Sequence, residues 1–277
     1  MRLFDTHAHL DLPRFGGAEE QRSAALRAQD AEIAAILIPG MEPRSWSRTA
    51  RAANTLGAKT PNVRFHTAFG VHPHALSDLH QNDDQDLESR LLDALGAAPP
   101  SLVAIGECGL DFRRLPGVAA RERQVAVFEG HLRVARRTGL PLLLHCVRAH
   151  GVMVERLLAK PTPPALLHAF SGSAEIAVEL CRAGHYISFA GSLTLPGARR
   201  PLRCAKAVPS SQLLVETDSP DQTPFGRRPA RNEPAFLIDV ASALASARGA
   251  SVREIAALTT ANACRALGVK LPEADPL

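Results

Sequence analysis

Short apolar runs alternate along this chain with longer amphipathic stretches. The runs are rich in Leu, Ile, Val and Ala, show little polar alternation, and several end at Gly or Pro. This pattern is typical of strands that are buried on both faces, as in parallel sheets. The eight runs are LFDTHAHL (3–10), IAAILIPG (33–40), RFHTAFGVHP (64–73), LVAIGECGLD (102–111), PLLLHCV (141–147), ALLHAF (165–170), YISFAG (186–191) and LLVETDSP (213–220).

Helix-length segments separate these runs. In the segment ARERQVAVFEGHLRVARRTGL, Val125 and Phe128 fall on one helical face, and Gly139 offers a C-terminal cap. Near the end of the chain, Ser251 and Glu254 have the spacing of a capping box at the start of a helix. The segments between the runs are therefore predicted to be helices.

The alternation predicts an α/β fold, a single (β/α)8 TIM barrel over residues 1–270. An open doubly wound sheet is the alternative. No linker rich in Ser, Gly or Pro divides the chain, and its length of 277 residues is normal for such a barrel. Residues 271–277 are expected to form a short C-terminal tail.

Composition narrows the class of protein. Hydrophobic residues make up 45% of the chain and charged residues 22%, as in globular proteins. The net charge of +4 is compatible with a polyanionic substrate but does not require one. Five scattered cysteines without a CxxC pair, and no signal peptide or membrane-length apolar segment, predict a reduced, cytoplasmic protein. We expect no membrane association, no obligatory protein partner and a monomer.

Potential metal ligands stand at the C-terminal ends of six of the eight predicted strands, with His7 and His9 at the end of the first. The C-terminal ends of barrel strands form the active-site face, so these side chains are expected to meet. One buried histidine is more often a hydrogen-bonded core residue than a ligand, but joint placement at one rim favours a shared site. The residues are His7 and His9, His72 and His74, Glu107 and Asp111, His145, His168, and Glu216 and Asp218.

Imidazole and carboxylate groups together indicate divalent metal ions, and we expect Mg²⁺, Mn²⁺ or Zn²⁺. Four histidines and two carboxylates exceed what one ion with an open position needs, so they favour two ions that share a carboxylate. Glu107 is the natural bridge, because no lysine lies at a predicted strand end. Asp218 could hold one ion and accept a proton from water, which would give a metal-bound hydroxide as nucleophile.

Seven segments match, in chain order from residue 4 to about residue 265, the motifs of a known family. They are FDTHAHLD, GVHPH, GECGLDF, LLLHCV, HAFSG, ETDSP and RNEPAFL. On these segments the chain resembles the TatD-type metal-dependent DNases of the amidohydrolase superfamily. The resemblance implies a TIM barrel with a two-metal centre. The ligands of one metal would be His7, His9, Glu107 and Asp218. The ligands of the other would be Glu107, His145 and His168.

The resemblance also implies a function, namely hydrolysis of DNA phosphodiester bonds by a 3′-to-5′ exonuclease that prefers single-stranded ends. Asp218, Glu107 and His72 would be its catalytic residues, with His72 on the substrate side. The chain departs from the family at Val147–Arg148, where an Arg and then an acid are common, and at Ala169, where Cys is common. Two alternatives stay open: a small-molecule amidohydrolase or lactonase on the same barrel, and a non-catalytic nucleic-acid-binding scaffold.

Other polar residues near the strand ends are candidates for substrate contacts. Arginine can hold phosphates by bidentate contacts, and backbone NH groups before a helix can bind a phosphate or simply be capped. Asp111 could instead cap a turn or orient a metal ligand. The substrate-binding candidates are His74, Asp111, Arg114, Arg148, Ser171 and Arg231. Cys108 and Cys146 each follow a ligand and are expected to pack against the helices.

Overall fold

The computed structural model describes residues 2–79, 86–114 and 117–271. Eight parallel strands lie in one sheet in the order β1 to β8, each bonded to the next along the chain. The strands are β1 Leu3–Asp5, β2 Ile33–Gly40, β3 Arg64–Phe69, β4 Leu102–Asp111, β5 Leu142–Val147, β6 Ala165–Leu167, β7 Tyr186–Phe189 and β8 Leu213–Val215.

The sheet curls until its first and last strands meet. The backbone NH of Thr6 donates to the carbonyl of Val215 at 3.3 Å, and Ala8 forms an isolated parallel bridge with Ser219. These contacts close the sheet into a barrel. The predicted (β/α)8 barrel is therefore confirmed, and the open doubly wound alternative is excluded.

Helices cover the outside of the barrel. Their bounds are α1 Ala18–Asp30, α2 Pro43–Gly57, α3 Leu87–Gly96, α4 Val118–Thr138, α5 His150–Leu158, α6 Ala174–Arg182, α7 Arg199–Ala207, α8 Leu237–Arg248 and α9 Val252–Leu267. The predicted caps are present, because Gly139 ends α4 in the left-handed conformation and Ser251 forms a capping box with Glu254.

The core has two parts. The barrel interior is filled by side chains such as Phe4, Leu37 and Leu143, and α9 closes its lower end with Ala263 and Leu267. A larger layer lies between the strands and the surrounding helices. Cys108 and Cys146 belong to that outer layer, as their alternation along the strands predicts. All five cysteines are unpaired.

Five strands, namely β1, β3, β6, β7 and β8, end earlier than their apolar runs. β1 stops at Asp5, β6 at Leu167 and β8 at Val215, so His7, His9 and Asp218 lie on the segments that follow. The prediction that His7 and His9 sit within a strand was wrong. The reason is that the chain turns inward over the barrel mouth, where the backbone NH of His9 donates to Ser219 O at 2.7 Å.

No single helix among the described residues is long and apolar enough to cross a membrane. Pro234–Arg248 and Val252–Leu267 reach that length and composition only together, and they are bent by 106° at their junction. The predicted tail, residues 271–277, lies outside the described residues except for Leu271, which packs against the inner core.

Candidate metal centre

The carboxylate of Glu107 lies at the middle of the barrel mouth and is 1% exposed. One of its oxygens, Oε2, faces the first histidine pair, at 3.3 Å from His7 Nε2 and 3.4 Å from His9 Nε2. Those two nitrogens are 3.0 Å apart. Glu107 Oε2 is buried and has no hydrogen-bond donor among the described residues. Three lone-pair-bearing atoms thus converge on one point.

The other oxygen of Glu107, Oε1, faces a second set of histidines. His168 Nε2 lies at 3.0 Å, His145 Nδ1 at 3.1 Å and His72 Nε2 at 3.2 Å. His145 Nδ1 and His168 Nε2 are themselves 3.0 Å apart. The two oxygens of one carboxylate therefore face two separate groups of nitrogen donors.

Asp218 approaches the first group from the loop after β8. Its Oδ1 lies 3.7 Å from His7 Nε2 and 3.9 Å from His9 Nε2, while its Oδ2 accepts from Gln222 Nε2 at 2.7 Å. The backbone of Asp218 has a φ of 58°, and its NH donates to His7 O at 2.9 Å. This uncommon left-handed conformation is held by the barrel closure and aims the carboxylate at the site.

The charges in this cluster stabilise one another. Burial opposes ionisation of Glu107, but His72, His7 and His168 outweigh it and hold its pKa well below the usual range. Burial lowers the pKa of His72 to about 3, so its imidazole is neutral at pH 7. Glu107 is thus an anion surrounded by imidazoles, which is the form in which it can bind cations.

Two further carboxylates orient two of the three imidazoles of the second group. His145 Nε2 donates to Asp111 Oδ2 at 3.3 Å, which leaves His145 Nδ1 facing Glu107. His168 Nδ1 donates to Glu216 Oε1 at 3.1 Å, which leaves His168 Nε2 facing Glu107. Carboxylate–histidine pairs of this kind fix the tautomer and the ring orientation of metal ligands.

Asp111 is itself held in place by its neighbours. Its Oδ2 also accepts from His74 Nε2 at 2.8 Å, and its Oδ1 accepts from the backbone NH groups of Arg113 and Arg114. Burial opposes its ionisation, but the bonds from His145 and His74 outweigh burial and lower its pKa. Asp111 thus both ends β4 and orients a histidine, two roles that the sequence had left open.

A glycine in β4 allows these residues to come together. Gly109 pairs with His145 on β5 and has a φ of 132°. A Cβ atom at this position would lie 2.2 Å from the carbonyl oxygen of His145. Only glycine combines that conformation with such a close approach, so Gly109 allows Glu107 and Asp111 to face the same histidine.

A cavity of about 760 Å³ opens above the cluster. His74, Arg114 and Ser171 line it together with His145, His168 and Asp218, which places three of the predicted substrate residues at the mouth of the site. Among the described residues, Arg148 and Arg231 are not part of this lining. Arg148 is exposed on the turn after β5, and Arg231 bonds to Glu20 at 2.6 Å above the ring of Phe15.

Several side chains that the sequence did not single out contribute to the site. Arg14 lines the cavity and forms a bidentate ion pair with Asp221 across the junction of β1 and β8. Asp5 is fully buried and accepts from the backbone NH groups of His7 and Thr217. A carboxylate two residues before the HxH pair and an arginine five residues after it were the available signals.

The residues present fit divalent metal ions. Two groups of side chains, His7, His9 and Glu107 on one side and His72, Glu107 and His145 on the other, place their ligand atoms within 4.8 Å of one another. Imidazole nitrogen and carboxylate oxygen are the donors that Zn²⁺ and Mn²⁺ accept. Glu107 Oε2, which is buried and has no donor among the described residues, faces the His7 and His9 nitrogens, where a cation could bind.

A parallel barrel with histidines and carboxylates at its carboxyl rim is typical of metal-dependent hydrolases. The family model described as TatD related DNase matches residues 4–268. The chain therefore belongs to the TatD family.

Relatives of similar length support this assignment. The "uncharacterized metal-dependent hydrolase YabD" of Bacillus subtilis is 30% identical, with 95% of this chain and 98% of the relative covered. The "uncharacterized metal-dependent hydrolase TatD" of Mycobacterium tuberculosis is 34% identical over 96% and 98%. The "3′-5′ ssDNA/RNA exonuclease TatD" of Erwinia amylovora is 35% identical over 96% and 100%.

Solved structures agree with the barrel. YjjV, a TatD homologue from Escherichia coli, superposes with a TM-score of 0.84 and 30% identity, and the alignment covers 97% of this chain and 98% of YjjV. A TatD-family hydrolase from Entamoeba histolytica has the same fold, with a TM-score of 0.81, 23% identity and coverage of 96% and 97%.

Proposed function

We propose that this hydrolase uses two divalent metal ions to cleave phosphodiester bonds of DNA, removing nucleotides from the 3′ end of single strands. The observation that carries the proposal is the carboxylate of Glu107, whose two oxygens face two separate histidine groups. A shared carboxylate between two such groups is the arrangement used to hold a metal pair.

The ligands of one ion would be His7, His9, Glu107 and Asp218. The ligands of the other would be Glu107, His145 and His168. When bound, two divalent ions polarise the phosphoryl oxygen, lower the pKa of a bound water and stabilise the charge that develops in an in-line displacement. Mg²⁺, Mn²⁺ and Zn²⁺ all suit this chemistry.

The side chains around the pair divide the remaining tasks. Asp218 would accept the proton of the attacking water on its carboxylate, whose Oδ1 faces the His7 and His9 nitrogens and whose Oδ2 accepts from Gln222. His72 lies beside Glu107 as a neutral imidazole on the substrate side. Arg14, Arg113 and Arg114 line the cavity and would hold substrate phosphates, with His74 and Ser171 at the same mouth.

The choice of nucleic acid as substrate has two supports. The cavity lining contains these three arginines, as a phosphate-bearing substrate requires. Relatives from Erwinia amylovora and Erwinia billingiae, at 35% and 33% identity, are named 3′-5′ ssDNA/RNA exonucleases.

The test is cleavage of a single-stranded DNA oligomer labelled at its 5′ end, with Mg²⁺, Mn²⁺ or Zn²⁺ and then with chelator. We expect a metal-dependent ladder that shortens from the 3′ end. Glu107→Gln should slow it by at least about 100-fold, because removing an electrostatic group at the reacting centre typically costs that much. Glu122→Gln, an exposed change on α4, is the matched control. No cleavage with any metal, by protein shown to carry two ions, would refute the DNase proposal in favour of small esters or amides.

A further inference from the structure

A second large cavity lies on the flank of the barrel, between α1 and α2. Its volume is about 660 Å³. We call it the α1–α2 groove and define it by its four cationic lining residues. These are Arg22, Arg48, Arg51 and Lys59. The lining also contains two acids, Asp11 and Glu19.

The groove connects to the metal centre through a smaller cavity of about 430 Å³. This middle cavity shares His74 and Arg114 with the central cavity, and it shares Arg48 with the α1–α2 groove. The three cavities therefore form one path across the surface, which begins at the proposed reacting centre and passes over the start of α2.

The acids of the middle cavity have a cationic neighbour. Arg44 Nε lies 2.7 Å from Glu42 Oε2, and Arg44 Nη2 lies 3.9 Å from Asp78 Oδ2. Arg44 therefore offsets part of the negative charge of these two carboxylates, so they repel an anionic ligand less strongly. Arg114 remains on the lining to attract one.

Positive charge is in excess in the α1–α2 groove. Asp11 is buried, accepts from Thr49 Oγ1 at 2.6 Å and lies 3.6 Å from Arg48 Nε, so its charge is matched locally. Within residues 2–79, 86–114 and 117–271, none of the ion pairs involves Arg22, Arg51 or Lys59. Among the described residues, three cations without an ion pair thus face Glu19, the remaining carboxylate of the lining.

The cations form a row. Arg48, Arg51, Thr55 and Lys59 follow one another at intervals of three or four residues, so they share one face of α2 and the turn after it. At 1.5 Å per residue, the row from Arg48 to Lys59 is about 16 Å long. Phosphates recur along a nucleic-acid strand at spacings of a few ångström, so a row of this length can contact several of them.

We infer that the α1–α2 groove binds the phosphodiester backbone of a single nucleic-acid strand whose 3′ end lies in the metal centre. The inference rests on the proposed function, since it supposes a polynucleotide substrate. Among the described residues that line the groove, none is aromatic, and Ala18, Ala52 and Leu56 supply apolar contact. Contact there is to backbone and sugar, without stacking, so it carries no base preference.

Binding can be tested apart from cleavage with phosphorothioate-linked, fluorescein-labelled (dT)20 and (rU)20, which resist hydrolysis, on metal-loaded protein. The variant Arg51→Ala/Lys59→Ala is compared with Arg137→Ala/Arg182→Ala, which removes the same charge from exposed sites on α4 and α6. Loss of two phosphate contacts should lower the slope of log affinity against log salt by about 1.4 and weaken binding about 10- to 30-fold at 0.1 M salt. The control variant should bind as wild type does.

The dinucleotide pdTpdT is too short to leave the central cavity, so its cleavage should change less than about two-fold in either double variant. Cleavage of unmodified (dT)20 should fall in the groove variant alone. If both double variants weakened binding of the labelled strands equally, or if neither did, the proposed role of the groove would be refuted. An effect on only one of the two polymers, (dT)20 or (rU)20, would refute contact to the backbone.

If no DNA is cleaved but the groove variant alone loses binding, the exonuclease proposal fails and the groove proposal stands. If (dT)20 is cleaved equally by all three proteins, the groove fails and the exonuclease stands.

Discussion

Two of the three imidazoles that face Glu107 Oε1 are each oriented by a further carboxylate. Asp111 serves His145 and Glu216 serves His168. Glu216 is fully buried and also accepts from the backbone NH of Ala169 at 2.7 Å. Burial opposes its ionisation, but His168 outweighs burial and lowers the pKa of Glu216. An acid held this firmly has little freedom to bind substrate, so its effect on the reaction is exerted through the histidine.

Asp111→Asn tests this role directly. The amide nitrogen would face His145 Nε2 as a donor, which forces the proton of the ring onto Nδ1, the atom that faces Glu107. We expect the affinity of the metal site that includes His145 to fall 10- to 100-fold, as is typical when such a partner is lost, about 1.4 to 2.7 kcal/mol. Isothermal titration of the metal-free protein with Mn²⁺ measures it.

Asp93→Asn, an exposed change on α3, is the control for that titration. If Asp111→Asn left both metal affinities unchanged but weakened DNA binding, Asp111 would be a substrate contact and not an orienting group.

At the scale of elements, the strand order could be predicted from the sequence because buried parallel strands leave long apolar runs, such as residues 33–40 and 102–111. The ends of β1 and β8 could not. Thr217 Oγ1 donates to Asp5 Oδ2 at 2.6 Å. This bond joins residues 212 positions apart and links the segments that follow β1 and β8 at the barrel mouth. A contact between distant side chains leaves no periodic signal in either segment.

Gly109→Ala tests how far the metal centre depends on the β4–β5 pairing. The added Cβ would meet the carbonyl of His145 and would sit at a φ of 132°. We expect a loss of at least about 1 to 3 kcal/mol in the free energy of unfolding, because that conformation is unfavourable for L side chains. Urea unfolding of the metal-free protein measures it.

Gly151→Ala on α5 is the matched control, since its Cβ would meet nothing within 4 Å and its φ is ordinary. We expect it to be neutral or stabilising by up to about 1 kcal/mol. Equal effects of the two substitutions would show that β4 tolerates a side chain at position 109, contrary to the close approach seen here.

At the scale of the whole molecule, the sequence could predict which side chains meet around Glu107, because a barrel brings its strand ends together by a general rule. Substrate residues follow no such rule, since they lie on loops. Arg231 was expected at the rim, but it packs on Phe15 and bonds to Glu20, whereas Arg14 faces the cavity. The direction of a loop side chain depends on partners from other parts of the chain, which a local pattern does not encode.

The stability of the barrel should depend on pH through a buried histidine that is not among the groups facing Glu107. His131 on α4 accepts from Val71 NH at 3.0 Å and donates to Val127 O at 2.8 Å, and burial lowers its pKa to about 4 while Glu88 acts weakly against this. The unfolded chain takes up a proton below pH 6.5, but the folded chain does so only near pH 4. Stability is therefore complete above pH 6.5 and falls as the pH drops toward 4.

The difference of about 2.5 pKa units corresponds to at most about 3.4 kcal/mol. His131→Gln keeps an acceptor and a donor but cannot titrate, so it should flatten the fall in unfolding free energy between pH 6.5 and 4 by up to that amount. Urea unfolding at several pH values, in chelator, measures the slope. An unchanged slope in the variant would show that His131 is protonated at the same pH in both states.

The central claim is that Glu107 bridges two metal ions, and the most direct test is the number of ions bound per chain. Metal-free wild-type protein and Glu107→Gln would be titrated with Mn²⁺ and weighed by native mass spectrometry, with Glu122→Gln as the control. We predict two ions per chain in the wild type and in the control, and loss of at least one in Glu107→Gln. One ion at saturation in the wild type, or two bound equally well by Glu107→Gln, would contradict the bridge.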